Sequence, residues 1–147
     1  MNIFDYPLAA FVGMALALGV CGSAALAGLS RERGFYPLMV IVIAGYYILF
    51  ALQAASIPAL WSEIAALLVF ALLAITGYKT TDWIVVAALA GHGVFDAIHG
   101  GVIANPGVPL WWPPFCLTFD VTMAAVLALR LVAAKQKGPQ SLLRSPA

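Results

Sequence analysis

The chain of 147 residues is 64% hydrophobic and 9% charged, with a mean hydropathy of +1.02, far from the roughly 25% charged content of a soluble globular domain. Seven Lys and Arg against six Asp and Glu leave a formal net charge of +1, so no basic surplus exists to neutralise a phosphate backbone, and nucleic-acid binding is excluded as a function class. So much apolar surface also excludes a disordered chain.

A helix needs about 20 apolar residues to cross a hydrocarbon core of ~30 Å, and five runs meet that requirement: 8–29, 36–57, 60–78, 82–99 and 114–134. They predict an all-α integral membrane bundle of five transmembrane helices in one domain, 1–134, followed by a short tail, 135–147. The first run does not read as a cleaved signal peptide, because no Lys or Arg precedes it and it is too long for a 7–15-residue apolar core. It carries Ala15, Gly19, Ser23 and Ala27 at four-residue spacing, a small-residue stripe suited to packing against another helix in the bundle or in an oligomer.

The breaks between spans carry turn chemistry: Ser30 to Gly34, Pro58, Lys79-Thr80-Thr81, and a Gly/Pro-rich stretch from Gly100 to Pro113. All nine prolines fall at predicted helix starts, in loops or in the tail, where a missing N–H costs little. Gly138-Pro139 and Ser145-Pro146 mark the tail as non-helical. Cys21 and Cys116 lie inside apolar runs and form neither a CxxC pair nor a disulfide framework, which makes them small buried hydrophobes.

Charge orients the spans. Arg31, Arg33, Lys79, Arg130, Lys135, Lys137 and Arg144 all fall on one side of a five-span chain, and the preference of cytoplasmic loops for Lys and Arg places the N-terminus outside and the C-terminus in the cytoplasm. Trp61, Trp111 and Trp112 then lie at the outer edge and Trp83 at the inner one, where amphipathic rings settle. The expected location is a bacterial cytoplasmic membrane.

The acids divide by the same map. Glu32 and Asp82 sit near basic residues on the inner side and read as solvated charges. Asp5, Glu63, Asp96 and Asp120 fall in the outer half with both histidines, His92 and His99, and with no Lys or Arg. Ionisable residues inside spans are costly and mark ion, proton or substrate sites.

His92, Asp96 and His99 stand at i, i+4 and i+7, which puts all three on one helix face. At 1.5 Å rise per residue the two histidines are ~10 Å apart along the axis, too far to ligate one ion comfortably, whereas Asp96 is within reach of either. The expected site is therefore Asp96 with one histidine, completed by Asp120 and by Glu63 at the start of the third span. Either the carboxylates are protonated or a bound cation compensates them. A mixed His and carboxylate set suits a divalent metal such as zinc, with manganese or iron as alternatives. Hydrogen bonding among buried polar groups and a proton or small-ligand relay are the competing readings of the same residues. Asn105, Trp111, Trp112 and Gln53 are candidates for the rim of the site, the tryptophans alternatively serving as interfacial anchors.

The run HxxxDxxH from His92 to His99, followed by NPGVPxWWPxFC and Asp120, resembles a family of small bacterial multi-pass membrane proteins of unknown function, over about residues 88–122. The resemblance implies a multi-helix membrane fold in which His92, Asp96, His99, Pro109, Trp112 and Asp120 match the family's polar and loop positions. A more distant similarity is to the membrane hydrolases of the ceramidase and receptor-like superfamily, which hold zinc with histidines and an aspartate. This chain departs from that pattern, with five spans instead of seven and two histidines instead of three.

Three functions follow as expectations. The first is a membrane protein whose outer-side cluster binds a cation, proton or small ligand. The second is a metal-dependent hydrolase of a lipid-like substrate, and the third an accessory subunit with a structural polar cluster. The lipid bilayer is the expected surrounding, with a homo-oligomer or a membrane complex as the expected assembly.

Overall fold

The computed structural model describes residues 5–141, and among them every regular element is helical, with no strand. Five α-helices follow in chain order: α1 Pro7–Leu26, α2 Phe35–Gln53, α3 Ile57–Lys79, α4 Asp82–Val102 and α5 Trp112–Ser141, with one 3-10 turn at Leu29–Arg31. Each contains a segment long and apolar enough to cross a membrane.

The differences from the predicted bounds have local causes. α1 ends before residue 29 because Gly28 takes φ 79°, a left-handed conformation that carries no Cβ penalty in glycine. α2 stops at Gln53, ahead of 57, where Ala55 turns the chain at φ 49°. Ser56 then caps α3, its hydroxyl oxygen accepting from Ala59 N–H, and Pro58 occupies the first turn. α5 runs through Gly138 and Pro139 to Ser141, where the sequence predicts a non-helical tail. A proline in the final turn removes one hydrogen bond beside carbonyls that lack helical partners anyway, so it does not end the helix there. Arg144, with the rest of the tail beyond Ser141, lies outside the described residues.

Short connections make successive helices antiparallel. α4 occupies the middle: it packs along α3 and α5 and also meets α2, while α1 lies on the far side against α5. Large apolar side chains, among them Leu8, Phe11, Leu38, Leu68, Leu72 and Leu129, point away from the bundle. Inside, small residues such as Ala17, Ala44, Ala51, Ala74, Ala88 and Ala124 are prominent among the buried ones. This is the distribution expected where lipid, not water, surrounds the helices, since burying Leu against Leu gains little over leaving it in hydrocarbon and close packing favours small residues.

Of the two roles expected for the small-residue stripe of α1, packing within the bundle does not occur, because a different stripe turns inward. Gly13, Ala17, Cys21 and Ala24 are buried, whereas Ala15, Gly19, Ser23 and Ala27 are exposed. Gly13 decides the rotation. A Cβ built there would clash with the Phe115 carbonyl oxygen of α5, and at the same crossing Thr118 donates its hydroxyl to the Ala10 carbonyl at 2.7 Å.

Gly13→Ala should therefore lower stability by about 1–3 kcal/mol through overpacking against backbone. Gly19→Ala, with open space around it, should be neutral or gain up to about 1 kcal/mol of helix propensity. Thermal unfolding of both variants in one detergent checks the pair, and equal midpoints would contradict this packing of α1.

Candidate functional site

α4 is the most amphipathic of the helices, and its polar stripe is buried. His92, Asp96 and His99, together with Glu63 of α3 and Asp120 of α5, are each no more than 2% exposed. The spacing on α4 sets this up: residues four and three apart share the face turned toward α2, α3 and α5. Gly93 permits the approach of α5, because a Cβ there would come within 3.2 Å of the Leu117 carbonyl oxygen and 3.4 Å of the Asp120 Cβ.

The five residues separate into two groups. In the first, His92 Nδ1 lies 2.7 Å from Asp120 Oδ2 and 3.3 Å from Asp96 Oδ2. One ligand atom from each of His92, Asp96 and Asp120 can be chosen so that all lie within 4.8 Å of one another. In the second, His99 Nε2 lies 2.8 Å from Glu63 Oε1, and the Asn105 amide donates to that same oxygen at 2.8 Å. Glu63 thus meets His99 and Asn105, and the expected grouping of Glu63 with Asp96 and Asp120 does not form. Glu63 enters from the first turns of α3, which run antiparallel beside the last turns of α4, so it reaches His99 and not the turn below.

Tyr47 of α2 joins the groups, and the sequence reading missed it. Its hydroxyl donates to Asp96 Oδ1 at 2.6 Å, its ring stacks on His99 with centroids 4.1 Å apart, and its backbone carbonyl accepts from the Asn105 amide at 3.1 Å. A signal was present. Val40, Ile43, Ala44, Tyr47 and Ala51 form the buried stripe of α2, and a phenol within an apolar span needs an acceptor just as a carboxylate needs a donor. Phe70 of α3 supplies an apolar wall, its ring edge-on to His92 with centroids 4.6 Å apart.

Two carboxylate oxygens of the first group, Asp96 Oδ2 and Asp120 Oδ1, are buried without a hydrogen-bond partner. Among the described residues the close acid–base contacts are all made by the two histidines. Two aspartates therefore share one imidazole in a place with no Lys or Arg. Buried polar groups are nearly always satisfied, so such orphan acceptors require an explanation.

Access comes from the end of the bundle where α4 gives way to the Gly/Pro-rich loop. A cleft of about 830 Å³ opens there, lined by Asp96, His99, Gly100, Asn105 and the prolines Pro58, Pro106, Pro109 and Pro113 among others. Asn105 holds the loop over the site, its Oδ1 accepting from Gly107 N–H at 3.1 Å. Gly107 lies so close to α2 that a Cβ would meet the Phe50 carbonyl oxygen.

Of the four rim candidates, Asn105 alone contacts the cluster. Gln53 is exposed: it stands two residues, about 200° of helix rotation, beyond the buried Ala51 and points the other way. Trp111 is 45% exposed and faces a separate depression beside Asp5 and the start of α1. Trp112 packs against Phe50 and Tyr46 with ring centroids 4.9 and 5.2 Å away, so prolines rather than tryptophans form the mouth of the cleft. Asp5 is exposed beside Trp111 and takes no part.

No family model matches the chain, and no curated protein or solved structure matches it either.

Tyr47→Phe keeps the ring on His99 and deletes the donor to Asp96, and Asn105→Ala removes the donor shared by Glu63 and the Tyr47 carbonyl. Each should cost about 1–3 kcal/mol, the range for leaving a buried acceptor unpaired. Exposed Gln53→Ala should stay within about 0.5 kcal/mol of wild type. Thermal unfolding in detergent measures all three, and a Tyr47→Phe protein as stable as wild type would remove the hydroxyl from the account.

Proposed function

We propose that this chain is a multi-pass protein of a bacterial cytoplasmic membrane, N-terminus outside and C-terminus in the cytoplasm, whose outer-half cluster His92, Asp96 and Asp120 holds a divalent cation, zinc fitting the donor set best. The observation that carries the reading is the pair of unpartnered carboxylate oxygens, Asp96 Oδ2 and Asp120 Oδ1, buried beside one imidazole and, among the described residues, with no Lys or Arg in ion-pair contact.

The donor geometry supports it. Zinc bonds of about 2.0–2.2 Å in a tetrahedron place neighbouring ligand atoms about 3.3–3.6 Å apart. The His92 Nδ1 to Asp96 Oδ2 separation of 3.3 Å already meets that spacing, and the 2.7 Å contact to Asp120 has to widen by about 0.6–0.9 Å. A cation there would replace the proton between imidazole and carboxylate and draw the three ligand atoms, now within 4.8 Å of one another, together. Tyr47, donating to the other oxygen of Asp96, would orient that ligand from behind, as outer hydrogen bonds do around metal-binding carboxylates.

Orientation rests on charge. Arg31, Arg33, Lys79, Arg130 and Lys135 lie at the end of the bundle opposite the cluster, which favours that end as cytoplasmic. The resemblance of residues 88–122 to small bacterial membrane proteins points to the same setting. A green fluorescent protein fused to the C-terminus should fluoresce, and a periplasmic alkaline phosphatase fused there should be inactive. The reverse result would overturn the orientation.

Hydrolysis of a lipid-like substrate is the second reading, favoured by the cleft that reaches Asp96 and His99. Three protein ligands leave one position of a tetrahedral zinc open, and a bound zinc supplies Lewis acidity there. Within this chain His99, held by Glu63, stands on the cleft side of the cluster and is placed to exchange a proton with a molecule in the cleft.

Metal content decides the main proposal. Protein purified without a histidine tag should carry close to one equivalent of divalent metal by elemental mass spectrometry. His92→Ala and Asp120→Asn should lose it, while Glu63→Gln and His99→Ala should keep it. No metal in wild type even after zinc is supplied would reduce the cluster to a hydrogen-bonded network, and loss in Glu63→Gln would extend the site to both groups.

A further inference from the structure

At the end of the bundle opposite the cluster, three separate segments enclose a second hollow of about 770 Å³. Arg33 follows the α1 end, Thr80, Thr81, Asp82 and Trp83 form the turn into α4, and Leu131, Val132, Lys135 and Gln136 come from α5. We propose that this groove binds the headgroup of an anionic phospholipid, with the phosphate between Arg33 and Lys135 and an acyl chain along Leu131, Val132 and the Trp83 ring.

The polarity of the walls carries the assignment. One side is hydrocarbon continuous with the outward apolar surface of α5, and Trp83, 51% exposed, places an amphipathic ring where headgroup meets chain. The other side is basic and rich in donors. Arg33 and Lys135 both line it, with no carboxylate in ion-pair contact among the described residues. Arg33 is held by the Tyr78 ring, its guanidinium carbon 5.9 Å from the centroid.

The hydroxyls divide their roles. Thr80 donates to the Thr76 carbonyl at 2.6 Å, but Thr81 uses only its oxygen, accepting from Trp83 N–H at 3.4 Å, so its proton stays available to a phosphate oxygen. Asp82 is the one acid of the groove. It stands in the first turn of α4, where the helix dipole favours a carboxylate, and leaves Arg33 and Lys135 in excess.

A zwitterionic lipid offers the same phosphate but brings its own cation against Arg33 and Lys135. An anionic lipid does not, and near a membrane surface each Lys or Arg adds about 1 kcal/mol of attraction for anionic lipid. The groove therefore selects by headgroup charge as well as by phosphate.

Native mass spectrometry of wild type in a non-ionic detergent, with phosphatidylglycerol and phosphatidylcholine added in competition, reads this directly. Wild type should retain one phosphatidylglycerol with a preference on the order of 30-fold over phosphatidylcholine, the factor that two such cations supply. Arg33→Gln with Lys135→Gln should abolish the preference. The charge-matched pair Arg31→Gln with Lys79→Gln, outside the groove lining, should retain it. Equal retention of the two lipids, equal loss in both double variants, or displacement of phosphatidylglycerol by millimolar inorganic phosphate would overturn the proposal, the last by making the groove a site for free anion. Since neither double variant touches His92, Asp96 or Asp120, their metal content gives an independent readout of the cluster.

Discussion

The architecture depends on the cost of placing three polar side chains on one face of a helix within an apolar bundle. In apolar surroundings an unsatisfied polar group costs several kcal/mol, so His92, Asp96 and His99 turn into the bundle and away from its apolar outer surface. α4 consequently takes the central position, where α2, α3 and α5 each bring one partner: Tyr47 to Asp96, Glu63 to His99 and Asp120 to His92. The outer layer follows from the same constraint. α1 needs only a smooth surface, and its small residues nest on α5 at Gly13.

Satisfaction is uneven between the two polar groups. Around His99 the accounting closes: Glu63 Oε1 receives two close contacts, and Asn105 spans from that oxygen to the Tyr47 carbonyl. Around His92 it does not close, because two aspartates share one ring and two oxygens remain without partners. The complete group leaves its members held by one another. The incomplete one is where the proposed cation would restore the balance, and of its three residues Asp96 is the one that lines the cleft. Tyr47 couples the two, so disturbance of either should be felt at the other.

The two ends of the bundle are chemically opposite. One gathers carboxylates and histidines under a proline-rich loop, and the other gathers Arg31, Arg33, Lys79, Arg130 and Lys135. Arg130 is tied inward, donating to the Tyr36 hydroxyl at 3.3 Å, which leaves Arg33 and Lys135 to face the groove. An acidic end and a basic end match the proposed cation site at the one and the proposed anionic-lipid groove at the other.

The sequence by itself determined the five apolar helices, their approximate bounds and the shared face of His92, Asp96 and His99, because span length and helical period are local properties. It also singled out Asp120 and Glu63 as acids in apolar surroundings, since a charge in such a run stands out from composition alone. Only the tertiary structure decided which acid meets which histidine, because that depends on the relative heights of antiparallel helices. It assigned Tyr47, whose phenol hides among apolar neighbours until its acceptor is known, and it turned Gln53 and Trp111 away from the site. It also chose Gly13, Ala17, Cys21 and Ala24 over Ala15, Gly19, Ser23 and Ala27 as the inward stripe of α1. A helix that is apolar all round carries no signal of its own rotation, and the close approach of the α5 backbone at Gly13 supplies it.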